Sequence, residues 1–423
     1  MNRIDNRISS VFLAVAVFCL SGSAVAKDAT VKVKMDEILQ VRPVSLIGGN
    51  TEDLNYQLYG GLYSQLLHGE AFEEEIAVDF LGLTDKEKLQ VWVRRDARNQ
   101  PFLWLFNGRD YPAVDDVDKT AGTIQQETGK KKTGRPTKVG PLTFQGSFLS
   151  LNQLPGDIGK QVLERFAGSE QISRQWNKVQ SRNAEGSFTL VREGQLTGDQ
   201  AQQVTFVKGS GEWGIDNAGL HRGGIKFEKG KPYEGILRVK SDKKQSLYLS
   251  LRDEHGKVLA EQEVKLKADP GNYQRLEFTL TPDAGTTAGR FALVLREPGT
   301  ITVDYAFLQP GPWGRFHGLP IRKAMAEALQ SMTVKAMRYN GSMVNRSPDG
   351  HLYKWKEMIG PCDERKPYHG WFNPYASHGF SFFEFMDLCE ILNIDCMFGI
   401  RIDETEQDVR DLVDYCLGSK DTE

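Results

Sequence analysis

Two segments far apart in the chain bring together the side-chain types that grip a polyhydroxyl ligand. The first is Gly49-Asn-Thr-Glu-Asp-Leu-Asn-Tyr-Gln-Leu-Tyr-Gly-Gly-Leu-Tyr63. The second runs from Arg338-Tyr-Asn-Gly-Ser342 through Trp355 and Ile359-Gly-Pro361 to Asn373-Pro374. Each sets acidic, amide and aromatic side chains beside glycines. An ionised carboxylate accepts hydroxyl protons strongly at short range, and an aromatic face stacks on a sugar ring. Glu52, Asn55, Arg338 and Trp355 are the candidate binding residues. Taken as isolated residues they have plainer roles too. A carboxylate such as Glu52 serves in loops and helix caps, an arginine such as Arg338 braces a neighbouring carboxylate, and a tryptophan such as Trp355 lines a wall or core. Trp213 is a further aromatic, in a strand-rich region where a core position is the commoner one.

Strands and loops must hold these residues. Leu46 to Asn50 is a short apolar run delivering a loop. Leu58, Leu62 and Leu66 recur at helical spacing, so Tyr56 to Phe72 reads as a loop and a helix. Leu89 to Arg94 and Phe102 to Phe106 read as strands. From about Ile172 to Leu308 apolar and polar residues alternate in runs parted by turn residues, the pattern of an antiparallel sandwich. Past Pro312 the period switches to a helix over Ile321 to Met332 and a strand over Val334 to Tyr339. Ser381 and Glu384 form a capping box opening a helix from Phe382 to Leu392. A strand over Asp395 to Arg401 and an acid-started helix ending at Leu417-Gly418 follow. Strand, loop and helix in series predict a parallel α/β layout with working residues at the C-terminal ends of strands.

Composition narrows the function classes. The 423 residues hold 53 Lys plus Arg against 56 Asp plus Glu, so no basic excess favours nucleic acid. Gly129 to Lys138 looks like a minor-groove DNA reader, but within the polar stretch Asp115 to Pro141 it reads as a solvated loop. Arg3 and Arg7, the apolar run Val11 to Leu20 and the small residues ending at Ala26 have the three regions of a secretory signal peptide, cleaved after Ala26. The run is shorter than the roughly 20 residues of a membrane span, so the expectation is a secreted or periplasmic protein with no membrane association after cleavage. Cys362, Cys389, Cys396 and Cys416 remain, at spacings that match no zinc motif. Cys389 and Cys416 lie in apolar helical patterns and read as buried free thiols, with a disulfide open in an oxidising compartment. No motif calls for a metal or organic cofactor.

With these segments in place, the chain resembles glycoside hydrolase family 51, the retaining α-L-arabinofuranosidases, in the form that carries an inserted sandwich. The residues carrying the resemblance are Glu52-Asp53-Leu54-Asn55, Gly60-Gly61-Leu62-Tyr63 and Phe72-Glu73, then Arg338 to Ser342, Tyr353-Lys-Trp355-Lys356, Ile359-Gly360-Pro361 with Arg365, Phe382 to Glu390, and Val413 to Gly418. They cover about a third of the chain, in two blocks. The resemblance implies a partial (β/α)8 barrel interrupted by a jelly-roll sandwich like a carbohydrate-binding module. The expected partition is a signal peptide at 1–26, a first βα unit at 27–75, an inserted region at 76–310 and further barrel units at 311–423.

The resemblance also implies roles. Glu52 would hydrogen-bond the sugar in the −1 subsite, with Asn55 and Arg338 shaping or bracing it and Trp355 beside them, and the partner would be an arabinofuranosyl-containing glycan. Retaining cleavage needs two carboxyl groups roughly 5 Å apart, and both family glutamates are expected beyond residue 423, leaving none of the catalytic pair in this chain. Asp403 and Glu404 are no substitute, because neighbouring residues at a strand end point apart. There are departures as well. Asn340-Gly341-Ser342 replaces the family's Pro-Gly-Gly, Met343 stands where a polar residue is usual, and Arg401 and Asp403 sit where small or amide groups are expected. A non-catalytic carbohydrate-binding protein or an inactive relative is the alternative.

Overall fold

The computed structural model describes residues 48–74, 77–80, 89–95, 101–105, 136–139, 142–145, 148–150, 170–332, 334–347, 350–368, 370–373 and 376–418. The signal segment and most of the polar stretch 115–141 lie outside these residues. One part of that stretch does not: Pro136–Val139 is a strand rather than loop.

Strands are numbered β1 to β20 in chain order. Three of them, β1 (Gly48–Thr51), β19 (Ala336–Tyr339) and β20 (Asp395–Phe398), form a parallel sheet in the order β1-β19-β20. Its register sets Thr51 beside Tyr339 and Tyr339 beside Phe398, so three strand ends lie level. Among the described residues this sheet does not close into a barrel. Helices α1 (Lys323–Ser331), α2 (Ser342–Arg346), α3 (Phe382–Leu392) and α4 (Glu406–Leu417) accompany it. The capping box is present: Phe383 N–H donates to the Ser381 hydroxyl at 3.2 Å, and Ser381 N–H donates to the Glu384 carboxylate at 2.7 Å. Thr405 and Asp408 make the same motif for α4. Each box satisfies amides that a helix start leaves without partners, worth about 1 kcal/mol.

The strands β2 (Ala77–Phe80), β3 (Leu89–Arg95), β4 (Pro101–Leu105), β5 (Pro136–Val139), β6 (Leu142–Gln145) and β7 (Phe148–Ser150) pair antiparallel in the order β2-β3-β4-β7-β6-β5. Beyond them lies the sandwich: β8 (Trp176–Gln180), β9 (Glu185–Val191), β10 (Ala201–Lys208), β11 (Trp213–Asn217), β12 (Ile225–Phe227), β13 (Tyr233–Ser241), β14 (Gln245–Arg252), β15 (Val258–Leu266), β16 (Asp269–Leu280), β17 (Thr286–Leu295) and β18 (Gly299–Pro310). One sheet runs β16-β13-β18-β10-β9. The other runs β15-β14-β17-β11-β8, with β12 on the flank of β17. Phe278 of one sheet stacks on Phe291 of the other at 5.4 Å, and Leu237, Leu249, Leu293 and Val303 fill the layer between. Trp213 is 2% exposed and stacks on Phe188 across the sheets at 4.8 Å. It is a core residue, as the commoner reading has it.

The segment after β1 departs from expectation. The leucine spacing from Tyr56 to Phe72 predicts a helix, yet only the short 3-10 turn Leu54–Tyr56 forms, followed by irregular turns. Gly60 takes φ of 83°, and any side chain at Gly61 would lie 2.1 Å from the Gln57 carbonyl oxygen. The backbone groups then find partners elsewhere: Ser64 N–H donates to Pro320, Leu66 N–H to Leu308, and Glu70 accepts from Ala306 N–H. Pairing β18 at an edge that β10 leaves open after Val303 is a tertiary gain that helical spacing cannot report. Leu67 and Phe72 enter the sandwich core, whereas Leu58, Leu62 and Tyr63 enter a second core with Tyr305, Phe307 and Phe385. One segment therefore ties both cores together.

Two buried acids, Glu70 and Glu74, and the half-buried Glu73 lie at the end of that segment. Glu70 accepts from the hydroxyls of Tyr59 and, at 2.6 Å, Ser377; Glu74 accepts from the Ser173 hydroxyl at 2.8 Å; Glu73 accepts the amides of Asp199 and Gln200 at 2.9 and 3.1 Å. Desolvation by burial pushes the Glu73 carboxyl up to about 8 and Glu74 up to about 7, and raises Glu70 as well. A carboxyl raised on folding adds stability below its unfolded pKa of about 4.3, which is lost as pH climbs through the folded value. We therefore expect the denaturant midpoint to fall steadily from pH 5 to pH 8.5, and Glu73→Gln to flatten that slope. A midpoint that rises over the same range would contradict the assignment.

Candidate functional site

The level strand ends put Glu52, Asn340 and Gly399 side by side, each one residue past its strand. Asn340 holds all three ends: its N–H donates to Thr51 at 2.8 Å, its amide donates to the Gly399 carbonyl at 3.0 Å, and Gly399 N–H donates back to it at 2.9 Å. Asn340 has φ of 62°, a left-handed conformation that asparagine tolerates and proline cannot adopt. The departure from the family's Pro-Gly-Gly is thus a different way of ending the strand, in which a buried amide replaces a rigid ring.

Glu52 is 8% exposed and sits among donors. The Asn50 amide donates to Oε1 at 3.2 Å, Met343 N–H points at Oε2 at 3.4 Å, and Arg338 Nη2 lies 3.8 Å from Oε1. Arg338 in turn donates through Nε to the Asn50 side-chain oxygen at 2.8 Å. The β1–β19 register makes this possible, since it sets Asn50 directly beside Arg338. Arg338 keeps 48% of its side chain exposed, so the carboxylate and guanidinium meet solvent along one edge. Asn50 is the member that sequence reasoning missed, although it lies within the first segment. Its signal was the alternation that puts residues 50 and 52 on one face of an extended chain.

Gly341 leaves room for this arrangement. A Cβ there would stand 2.3 Å from Glu52 Oε1 and 2.6 Å from Arg338 Nη2. Its φ of 173° is ordinary extended backbone, so space and not strain is what excludes a side chain. Gly341→Ala should accordingly displace the Glu52 carboxylate and weaken ligand binding by about 10-fold, roughly 1.4 kcal/mol, while the melting temperature changes little. Titration and a thermal melt on the same sample separate the two effects.

Asp53 faces the other way. Its N–H donates to Met343 Sδ at 3.1 Å, and its buried carboxyl accepts from Tyr59 N–H at 3.4 Å, with Asn373 nearby. Desolvation by burial pushes it up to about 7, with the nearby Glu70 adding to the rise. Asp53 therefore ties the Glu52 loop to Met343 and Tyr59 and turns its carboxyl into the interior. Met343 has a use here as well, because both its sulfur and its amide hold this loop in place.

The remaining candidates are placed differently. Asn55 lies on the turn Leu54–Tyr56, and its side chain is outside the described part of the structure. Trp355 is 5% exposed; its indole N–H donates to the Asp408 carbonyl at 2.9 Å and its ring lies 5.8 Å from Tyr415. It packs against α4, and the described contacts do not bring it to Glu52. Tyr353 of the same motif is buried near Asn340 and Glu52 instead. Arg401 forms a bidentate pair with Asp403 at 2.8 and 3.2 Å and donates to the Val344 carbonyl at 2.6 Å. Glu404 accepts from Trp355 N–H at 3.3 Å. Arg401, Asp403 and Glu404 thus bracket the loop after β20 and offer no paired carboxyls. Of the thiols, Cys389 is buried as expected, but Cys416 is exposed, because α4 turns Leu412 and not Cys416 inward. Among the described residues no cluster of three metal-ligating side chains occurs.

A parallel strand-end site carrying a carboxylate and a guanidinium, together with a large antiparallel sandwich, defines a mixed α/β architecture. Comparison with known proteins makes this specific. Residues 328–423 match the family model described as α-L-arabinofuranosidase 1 domain. The α-L-arabinofuranosidase 1 of Arabidopsis thaliana is 27% identical over 186 residues, covering 43% of this chain and 27% of that protein. An extracellular exo-α-L-arabinofuranosidase of Streptomyces chartreusis is 23% identical over 238 residues, covering 53% of this chain and 28% of that protein. Among solved structures, an arabinose-bound family 51 α-L-arabinofuranosidase superposes with a TM-score of 0.56 at 16% identity, over 88% of this chain and 48% of its own. The chain is a relative of the family 51 α-L-arabinofuranosidases. It spans little more than a quarter of the length of the curated relatives it matches.

Proposed function

We propose that this chain carries the substrate-binding wall of a retaining α-L-arabinofuranosidase-like glycoside hydrolase that acts on arabinofuranosyl-bearing glycans. The observation that carries the proposal is Glu52, a nearly buried carboxylate at a parallel strand end, oriented by Asn50, Arg338 and the Met343 amide and open along one edge. A carboxylate held in this way accepts hydrogen bonds from vicinal hydroxyls, while the guanidinium beside it donates to a ring or glycosidic oxygen. Glu52 binds substrate in this reading, and Arg338 and Asn50 position it. No catalytic carboxyl is assigned to the chain, since Asp53 faces inward and Asp403 and Glu404 are engaged elsewhere. Strands β1, β19 and β20 would be the first three of a (β/α)8 barrel, with residues 76–310 inserted between the first two. Export is part of the proposal, supported by the N-terminal segment and by the extracellular relative.

The test is a titration of the chain with arabinofuranosyl-terminated oligosaccharides against xylo-oligosaccharides of equal length, followed by NMR. Selective line broadening of the arabinofuranosyl protons is the expected result. Equal or absent response to both series would remove the assignment.

A further inference from the structure

A cavity of about 400 Å³ opens between the segment Tyr59 to His68, the sandwich edge around β12, and residues 310–322, apart from the strand-end site. This volume lies within the roughly 300–1,000 Å³ of small-ligand pockets. Its lining includes Arg322, Trp313, Tyr233, Lys226 and Glu228. Arg322 is the unusual member. Its main-chain N–H donates to Leu62 and its Nε to the Tyr63 carbonyl at 3.0 Å, so the guanidinium is fixed. Among the described residues no carboxylate pairs with it, whereas Arg315 has Glu234 and Arg365 has Glu384. Partial burial without a counter-charge lowers its pKa below the ordinary value. A guanidinium has five donors, and among the described residues only one of these is spent on the protein.

The surrounding groups favour an anion carried on a ring. Glu228 is the one carboxylate on the cavity wall among the described residues, and Lys226 neutralises it at 2.9 Å. The balance of charge is positive, and the exposed Lys231, 5.7 Å from the Trp313 ring, adds to it. Trp313 is held rigid because its indole N–H donates to the Pro232 carbonyl at 2.7 Å and Tyr233 meets it edge-on at 5.6 Å. A fixed, half-buried indole gives a flat apolar surface for a sugar ring, and the unspent guanidinium edge matches a carboxylate in bidentate fashion.

We propose that this cavity binds a uronic acid residue, its carboxylate against Arg322 and its ring against Trp313. The full chain is titrated by calorimetry at pH 7 with methyl glucuronoside, its uncharged amide, methyl xyloside, acetate and inorganic phosphate. The uronoside should bind at least 10-fold tighter than the amide and the xyloside, and tighter than either simple anion. Arg322→Gln should bring the uronoside down to the level of the amide, and Arg322→Lys should retain part of the difference. Trp313→Leu should weaken uronoside and amide alike, several-fold. Equal binding of uronoside and amide overturns the proposal. So does acetate or phosphate binding as tightly as the uronoside, which would mean a plain anion site. Thermal melts establish whether Arg322→Gln folds; if it does not, the ligand series and Trp313→Leu decide the matter.

Discussion

Glu52→Ala should weaken binding of arabinofuranosyl ligands by about 100-fold while leaving the fold intact. A hydrogen bond to a charged group contributes about 1.5–3 kcal/mol, and a carboxylate accepting from two vicinal hydroxyls sits at the upper end of that range. The expected loss is therefore about 100-fold. Stability should change little, because the three strand ends are held by Asn340 and not by Glu52. Glu52→Gln gives a sharper comparison. It keeps the shape and one acceptor oxygen but loses the charge that attracts Arg338 at 3.8 Å, so an intermediate loss of about 10-fold is expected. Unchanged affinity in Glu52→Ala, with an unchanged melt, would remove the subsite role outright. A large drop in melting temperature would instead make Glu52 a structural residue.

Asp363→Ala should be the most destabilising single change at the seam between the sandwich and the parallel strands. Asp363 is 1% exposed, and its Oδ2 accepts from Arg238 of β13 at 2.7 Å and from Arg275 of β16 at 2.9 Å. Arg238 is itself buried and also reaches Glu364 at 2.5 Å. Removing the shared carboxylate leaves a buried guanidinium with one outer partner. Breaking a buried pair from one side costs about 3–5 kcal/mol, and the contacts that Arg238 keeps with Glu364 and Arg275 keeps with Glu277 place this case near the low end, about 3 kcal/mol. For a unit of several hundred residues, at roughly 2.1 cal/mol/K of unfolding entropy per residue, that is a fall of about 4 °C in melting temperature. Because Asp363 opens the loop whose Ser377 meets Tyr59 and Glu70, proteolysis there should accelerate in parallel. Asp363→Asn, which keeps an acceptor for the two arginines, should lose about half as much. An Asp363→Ala protein that melts like the parent would show that the arginines re-pair at no cost.

Parts of this molecule were open to reading from residues alone, for local reasons. The Ser381–Glu384 box and the helix to Leu392 depend on contacts within one turn, so the sequence contains all of their physics. The alternating runs of the sandwich likewise state which side of each strand is buried. Prediction failed from Tyr56 to Phe72, where leucines at helical spacing belong to two different cores. Nothing in the order of those residues says that β18 leaves an edge open for them. Cys416 failed for a related reason: α4 buries only a narrow stripe around Leu412, so an apolar residue one turn on stays exposed.

The sequence by itself determined the chemical inventory of the site and the kinds of element that deliver it. Residue types and short spacings settle which carboxylates, amides and glycines exist and which lie on strand ends. Tertiary structure decided which of them act together. The parallel register set Asn50 beside Arg338 and turned Glu52 toward both, while loop packing sent Asp53 inward and Trp355 onto α4. A register is chosen by all the contacts of a sheet at once, and a shift of a single residue exchanges its two faces. That choice is global, and no local pattern in the chain contains it.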